Sequence, residues 1–107
     1  MKLICQGKSV TQGTVVGTAL VVTDIDSAIN NTDKNTILIL DNSDPIYCLL
    51  IMKAGGVIIK EGGVLAHSCL LAMEIGVPCI TQVGRETMIN NGQTVYLDAG
   101  AGNVYEC

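Results

Sequence analysis

The only histidine of the chain, His67, lies four residues after a glycine pair, Gly62 and Gly63. The apolar stretch that begins at His67 stops at Gly76, with Pro78 just beyond, which is the usual pattern at the end of a helix. A helix N-terminus presents unpaired backbone N–H groups and the positive end of the helix dipole, and glycines let a backbone approach an anion closely. The segment therefore predicts a site that favours a phosphate group beside the imidazole.

An imidazole at such a position has two possible roles. With an unperturbed pKa of about 6.5, histidine is substantially neutral at pH 7, so a ring nitrogen has a lone pair free to attack a phosphoryl group. The phosphoramidate that results passes its phosphate onward, as a covalent intermediate that divides one transfer into two. A single histidine beside apolar residues is also a common structural feature, and the residue pattern alone leaves both roles open.

Composition excludes several classes of function. The chain has 107 residues and predicts one domain, residues 1–107. A net charge of -4 with six scattered basic residues argues against nucleic acid and anionic lipid as partners. No stretch resembles a membrane span or a signal peptide, so we expect a cytoplasmic protein. Five widely spaced cysteines without a C-x-x-C pair predict buried thiols rather than a metal site.

The elements that must position His67 follow an alternating pattern of strand and helix. Continuous apolar runs predict buried strands at residues 36–40, 57–60 and 79–83, and helices between them at 46–54 and 67–75. Residues 24–35 predict a surface loop or a short irregular helix. The sequence therefore predicts an α/β fold with mixed sheet layers and two or more helices. Further strands are predicted at residues 2–5, 15–23, 94–97 and 104–107.

The segment around His67 resembles the signature of the phosphoenolpyruvate-utilising enzymes, among them pyruvate phosphate dikinase, phosphoenolpyruvate synthase and the first enzyme of the sugar phosphotransferase system. The similarity extends over nearly the whole chain, from residues 13–22 to residues 91–102. It implies a phosphohistidine swivelling domain of the β/β/α layered type, here as a stand-alone chain. The signature residues are matched in order at Gly62, Gly63, His67, Ala72, Glu74, Gly76 and Pro78.

The resemblance also implies roles and partners. His67 would carry the phosphoryl group, and Gly62, Gly63, Ala66 and Ser68 would contact the phosphate. No nucleotide-binding motif occurs in the chain, so no cofactor is expected to bind directly. The family implies that ATP, phosphoenolpyruvate and Mg²⁺ bind to partner subunits, an ATP-grasp protein and a (β/α)8 barrel, on which this domain docks reversibly.

Two departures from the family pattern keep alternatives open. Leu65 and Ala66 stand where the family commonly has Thr-Ser, and Met73 stands where it usually has arginine. These changes remove a hydroxyl and a cation suited to phosphate contact, although the hydroxyl of Ser68 is a candidate replacement. The alternatives are a non-catalytic interaction or regulatory module with a degenerate site, and a small swivelling subunit of a lyase or dehydratase. We also expect Gly63→Val to crowd the backbone near the phosphate.

Overall fold

The computed structural model describes all 107 residues and contains one eight-stranded mixed sheet and three α-helices. It confirms the prediction of an α/β fold with mixed sheet layers. The strands are β1 (Lys2–Gln6), β2 (Lys8–Thr11), β3 (Thr14–Val21), β4 (Thr36–Leu40), β5 (Gly56–Ile59), β6 (Cys79–Thr81), β7 (Thr94–Asp98) and β8 (Asn103–Glu106). The helices are α1 (Ile25–Asn31), α2 (Cys48–Lys53) after a 3₁₀ turn (Pro45–Tyr47), and α3 (His67–Ile75).

The centre of the sheet is parallel and its flanks are antiparallel. The strand order is β1-β8-β7-β3-β4-β5-β6-β2, in which β3, β4, β5 and β6 run parallel to one another and the pairs at either side are antiparallel. Every residue of β4 is buried because the strand is covered on both faces, which explains its continuous apolar sequence. Helices α2 and α3 connect β4 to β5 and β5 to β6, so the central part has the predicted alternation of strand and helix.

Two separate apolar cores explain the layering. Leu38 and Leu40 of β4 face the helices and pack in a cluster with residues of α1, α2 and α3. Ile37 and Ile39 point to the opposite face and pack in a second cluster with residues of β7 and β8. Alternate side chains of one strand thus enter different cores, as the two-residue period of a strand requires. The helices thus form one layer, and the single eight-stranded sheet, folded over the second core, forms the other two, which is the predicted β/β/α arrangement.

A single glycine joins the two edges of the sheet. Strand β1 pairs with β8 at one edge and β2 pairs with β6 at the other, yet only Gly7 separates β1 from β2. The sheet must therefore roll until its edges lie side by side. The Gly7 N–H donates to the Gly102 carbonyl at 2.8 Å, and a Cβ on Gly7 would stand 2.5 Å from the Thr81 carbonyl oxygen. Only glycine fits this corner.

The predicted element bounds agree closely with the observed ones near the site. Strand β4 and helix α3 coincide with the predicted residues 36–40 and 67–75. The predicted helix over 46–54 begins as the 3₁₀ turn, in which the Asp44 carboxylate accepts from the Ile46 N–H at 2.9 Å. Residues 24–35 contain helix α1. None of the helices has the length and apolarity needed to cross a membrane.

Candidate functional site

His67 lies at the carboxyl edge of the parallel strands, where the loops after β4, β5 and β6 meet. The Lys60 N–H donates to the Leu40 carbonyl at 2.8 Å, and the Gly84 N–H donates to the Lys60 carbonyl at 3.0 Å. These backbone bonds hold the three loops together. Ligand sites of open α/β sheets are usually found at this edge, so the fold places His67 where a ligand is expected.

The two glycines before His67 have different structural roles. Gly62 has a φ of 151°, and a Cβ built on it would collide with the side chain of Ser43. Gly63 has no protein atom within 4 Å of such a Cβ. Close approach to another part of the protein is therefore found at Gly62 alone, and the approach of Gly62 and Gly63 to a phosphate stays a prediction. Any crowding produced by Gly63→Val would have to involve a bound group rather than the protein itself.

The carbonyl of Gly62 accepts two side-chain hydrogen bonds from the end of β6. The Thr81 hydroxyl donates to it at 3.0 Å and the Gln82 side-chain amide donates at 3.1 Å. The next carbonyl, that of Gly63, accepts from the Ala66 N–H at 3.1 Å. The turn that leads into α3 is thus fixed at its start by β6 and closed by its own backbone. The sequence gives no signal for Thr81 or Gln82, because their contacts depend on the tertiary fold.

The N-terminus of α3 is uncapped. Ala66 occupies the N-cap position in an extended conformation and has no side-chain acceptor. The backbone N–H groups of His67, Ser68 and Cys69 have no hydrogen-bond partner, and the first helical bond is from the Leu70 N–H to the Ala66 carbonyl at 2.9 Å. The side chain of His67 is exposed and makes no hydrogen bond or ion pair. A free imidazole therefore adjoins three free amides.

Ser68 is placed differently from what its predicted role suggests. Its side chain is fully buried, and its single hydroxyl proton is shared in a bifurcated hydrogen bond between the carbonyls of Ser43 and Asp44, each 3.1 Å from Oγ. The hydroxyl thus ties α3 to the loop after β4 and is occupied there. The free group of Ser68 is its backbone N–H, so a phosphate contact by Ser68 stays a prediction that concerns the main chain.

Two buried thiols lie in the core at the first turn of α3, one from α3 itself and one from the start of β6. Cys69 and Cys79 are both fully buried; the Cys79 thiol donates to the Ile80 carbonyl at 3.8 Å, and its sulfur also interacts with that of Cys69. This contact lowers the pKa of Cys69, and it raises the pKa of Cys79, with burial adding to the increase. Neither sulfur reaches solvent. The cysteine next to the site is therefore part of the core, as its apolar surroundings indicate.

The cations nearest the glycine pair are already paired. Lys60 lies 3.7 Å from the Asp41 carboxylate, and the Arg85 guanidinium lies 3.3 Å from the Glu61 carboxylate in an exposed pair. Met73, which stands where the family usually has arginine, is exposed on α3. The positive potential at the site therefore comes mainly from the helix N-terminus.

The exposed side of the helix layer is apolar next to His67. Leu70 and Met73 follow His67 at three-residue steps along α3, and each is more than two-fifths exposed. Leu49 and Met52 are exposed with the same spacing on α2, which packs against α3. We call these four side chains the apolar ridge. Of the four, Leu70 is the nearest to His67 along α3, one turn further on the same side of the helix.

The fold and the site together define a phosphoenolpyruvate-utilising enzyme mobile domain. The sequence profile of this family, described as "PEP-utilising enzyme, mobile domain", matches residues 32–102, which include the glycine pair and all of α3. The chain belongs to this family, and the resemblance inferred from its sequence is confirmed.

Two relatives are similar to this chain in sequence, and one solved structure is similar to it in fold. The prodigiosin synthesizing transferase PigC of Serratia marcescens is 33% identical over 92% of this chain, which spans 11% of that protein. The phosphoenolpyruvate synthase of Aeropyrum pernix is 26% identical over 97% of this chain, which spans 13% of that protein. Aconitase X of Thermococcus kodakaraensis in its holo-form shares the fold with a TM-score of 0.69 and 16% identity, over 96% of this chain and 97% of that one.

Proposed function

We propose that this domain is a cytoplasmic phosphoryl carrier. His67 accepts a phosphoryl group from a nucleotide- or phosphoenolpyruvate-binding partner and passes it to an acceptor on another subunit. The observation that carries the proposal is the exposed imidazole beside three unpartnered amides at the start of α3, within the segment that matches the family. By itself the domain turns nothing over, because it has neither a donor nor an acceptor site.

The chemistry requires little more than these groups. A lone pair of the His67 imidazole attacks phosphorus, a P–N bond forms, and the bond from phosphorus to the leaving oxygen breaks with its electrons remaining on that oxygen. The imidazole N–H proton is released to solvent or to a base of the partner. The second transfer reverses these changes at the acceptor. The free amides and the helix dipole stabilise the negative charge of the phosphoryl group in both steps.

The phosphate contacts that we propose involve the backbone. Gly62 and Gly63 place no side chain near the imidazole, Ala66 adds only a methyl group, and Ser68 contributes its N–H. Backbone amides can bind an anion even though Met73 stands where the family usually has arginine. They do not, however, supply the positive charge of a guanidinium. The domain would therefore stabilise its phosphohistidine less strongly than a relative that has arginine there, and would depend more on cations supplied by its partners.

The partners would be an ATP-grasp protein and a (β/α)8 barrel that binds phosphoenolpyruvate or pyruvate, with Mg²⁺ held at those sites. The apolar ridge beside His67 supports a docking role, because large apolar side chains on a surface commonly mark contacts with another protein.

The proposal is tested by intact-mass spectrometry at neutral to alkaline pH. Wild type and His67→Gln are incubated with host cytosolic extract, Mg²⁺ and either ATP or phosphoenolpyruvate. We expect one acid-labile phosphate on wild type and none on the variant. The two proteins should melt at the same temperature, because an exposed side chain with no hydrogen bond contributes little to stability. A phosphate retained by His67→Gln would contradict the assignment of the site.

A second candidate function is a non-catalytic interaction module. It is favoured by Leu65, which is 75% exposed at the position where the family commonly has a hydroxyl residue, and by the apolar ridge. The two functions differ in a measurable way. Absence of any phosphate adduct with every donor, together with a partner whose binding is lost in Leu70→Asp but kept in His67→Gln, would establish the module instead of the carrier.

A further inference from the structure

Gln82 has an unusual backbone for its residue type. It is the only residue other than glycine with a positive φ, 61°, and it follows directly after β6. A side chain in this left-handed region costs of order 1 kcal/mol, so such a residue persists where its surroundings hold it in place. Glycine would adopt the same conformation without strain. An interaction of the Gln82 side chain would offset this cost.

What the side chain supplies is a hydrogen bond to the loop before His67. Its Nε2 donates to the Gly62 carbonyl at 3.1 Å, beside the 3.0 Å bond from the Thr81 hydroxyl. These two donors use both lone pairs of that oxygen. Thr81 is fully buried, whereas Gln82 is exposed. Gln82 is thus the solvent-side half of a two-donor clamp on the first glycine of the pair.

The clamp holds one end of the turn that leads from Gly62 to His67. Gly62 is held against Ser43, whose carbonyl accepts from the buried hydroxyl of Ser68. The carbonyl of Gly63 accepts from the N–H of Ala66, the residue just before His67. The turn from Gly62 to Ala66 is consequently fixed at both ends, and its orientation determines where the free amides of α3 point.

We infer that Gln82 is a positioning residue for the phosphorylation of His67. The inference rests on the proposed function. Through the Gly62 carbonyl, Gln82 holds the glycine turn in the orientation that leaves the amides of α3 and the imidazole open to one phosphoryl group. Without this bond the turn rotates more freely, and part of the free energy of phosphate binding is used to order it.

Two substitutions separate positioning from stability. Gln82→Met keeps the length of the side chain and the strained backbone but loses the donor. Gln82→Gly loses the donor and also relieves the strain, so it should melt at the same or a higher temperature than wild type, whereas Gln82→Met should melt lower. With phosphoramidate, a small donor that needs no partner protein, we expect both to be phosphorylated about three- to tenfold more slowly, as the loss of one hydrogen bond predicts. Gln12→Met, at an exposed glutamine without a hydrogen bond, is the matched control and should react as wild type does.

A second readout is independent of phosphate. Hydrogen exchange of the Ala66 amide reports the bond that closes the turn, and it should accelerate in both Gln82 variants but not in Gln12→Met. The inference is overturned if either variant reacts at the wild-type rate. If Gln82→Gly alone does so, activity follows stability rather than the hydrogen bond. A wild-type protein that accepts no phosphate while both variants show faster exchange would instead refute the proposed function and leave the clamp established.

Discussion

Two kinds of helix N-terminus occur in this molecule. The carboxylate of Asp24 accepts from the Asp26 N–H at 3.3 Å at the start of α1, and that of Asp44 accepts from the Ile46 N–H at 2.9 Å at the start of the 3₁₀ turn. Ala66 has the equivalent position before α3 and offers no acceptor. The residue that precedes each element has an extended ψ, from 119° to 159°, so the three ends differ mainly in this side chain.

The difference shows what each end does. An aspartate cap stabilises a helix by about 1 kcal/mol and also neutralises the positive end of the dipole, so a capped end has little left to offer an external anion. The α3 end lacks this stabilisation and keeps three amides free. The uncapped end, beside the only histidine, is the one at which the proposed phosphoryl group would lie.

The largest effect is expected when the uncapped end of α3 is given a cap by Ala66→Asp. The introduced carboxylate would accept from the free amides, so the free energy of unfolding should increase by about 1 kcal/mol. The same carboxylate would occupy the phosphate position and repel a phosphoryl group, which should slow the phosphorylation of His67 by about 100-fold if it costs 2.7 kcal/mol. Chemical denaturation and intact-mass kinetics measure the two effects.

The neutral variant Ala66→Asn separates capping from charge. It should add similar stability, because asparagine caps helices as well as aspartate does, with a smaller loss of phosphorylation. A stabilised Ala66→Asp protein that is phosphorylated at the wild-type rate would show that the free amides of α3 have no part in the reaction.

A second pair of substitutions compares the two glycines of the loop before α3. Gly62→Ala should lower the free energy of unfolding by about 1–3 kcal/mol, because its Cβ collides with Ser43 and its backbone is in a region that favours glycine. Gly63→Ala should change it by less than about 0.5 kcal/mol, since its Cβ meets open space. Urea denaturation measures both. Equal losses in the two variants would contradict the observed difference between the glycines.

The smallest expected effect comes from removing an existing cap. Asp24→Ala should destabilise the protein by about 1 kcal/mol or less, given that the N-cap bond of α1 is long and exposed. Phosphorylation of His67 should not change, because α1 does not adjoin the glycine turn. Thermal melting and the rate of phosphoramidate labelling test this together, and a slower labelling rate would mean that the caps act on the site through global stability.

The sequence contains most of the local information about the site. Gly76 and Pro78 define the end of α3, and the run of β-branched and leucine residues defines β4, because both patterns depend on residues that are neighbours in the chain. Strand β2 was not predicted. It is a short, largely polar strand, and its pairing with β6 is formed between residues about 70 positions apart, which no local pattern encodes.

The finer geometry of the site depended on the same kind of distant contact. The sequence assigned equal roles to Gly62 and Gly63, whereas Ser43 and Gln82 constrain only the first. It predicted that the Ser68 hydroxyl contacts a phosphate, whereas in the structure this hydroxyl donates to backbone carbonyls of the loop after β4. Each of these partners lies about 20 residues or more away in sequence, and their hydrogen bonds exist only once the parallel strands bring three loops to one edge.

The pairing of β1 with β8 has a consequence for how this fold connects to other polypeptides. Lys2 stands opposite Glu106 in that pair, so the two chain ends are separated by about the spacing of adjacent strands. Any segments fused to them would therefore leave the domain side by side, at one edge of the sheet. For the same reason, a short linker should suffice to join Cys107 to Met1 in a circular permutant.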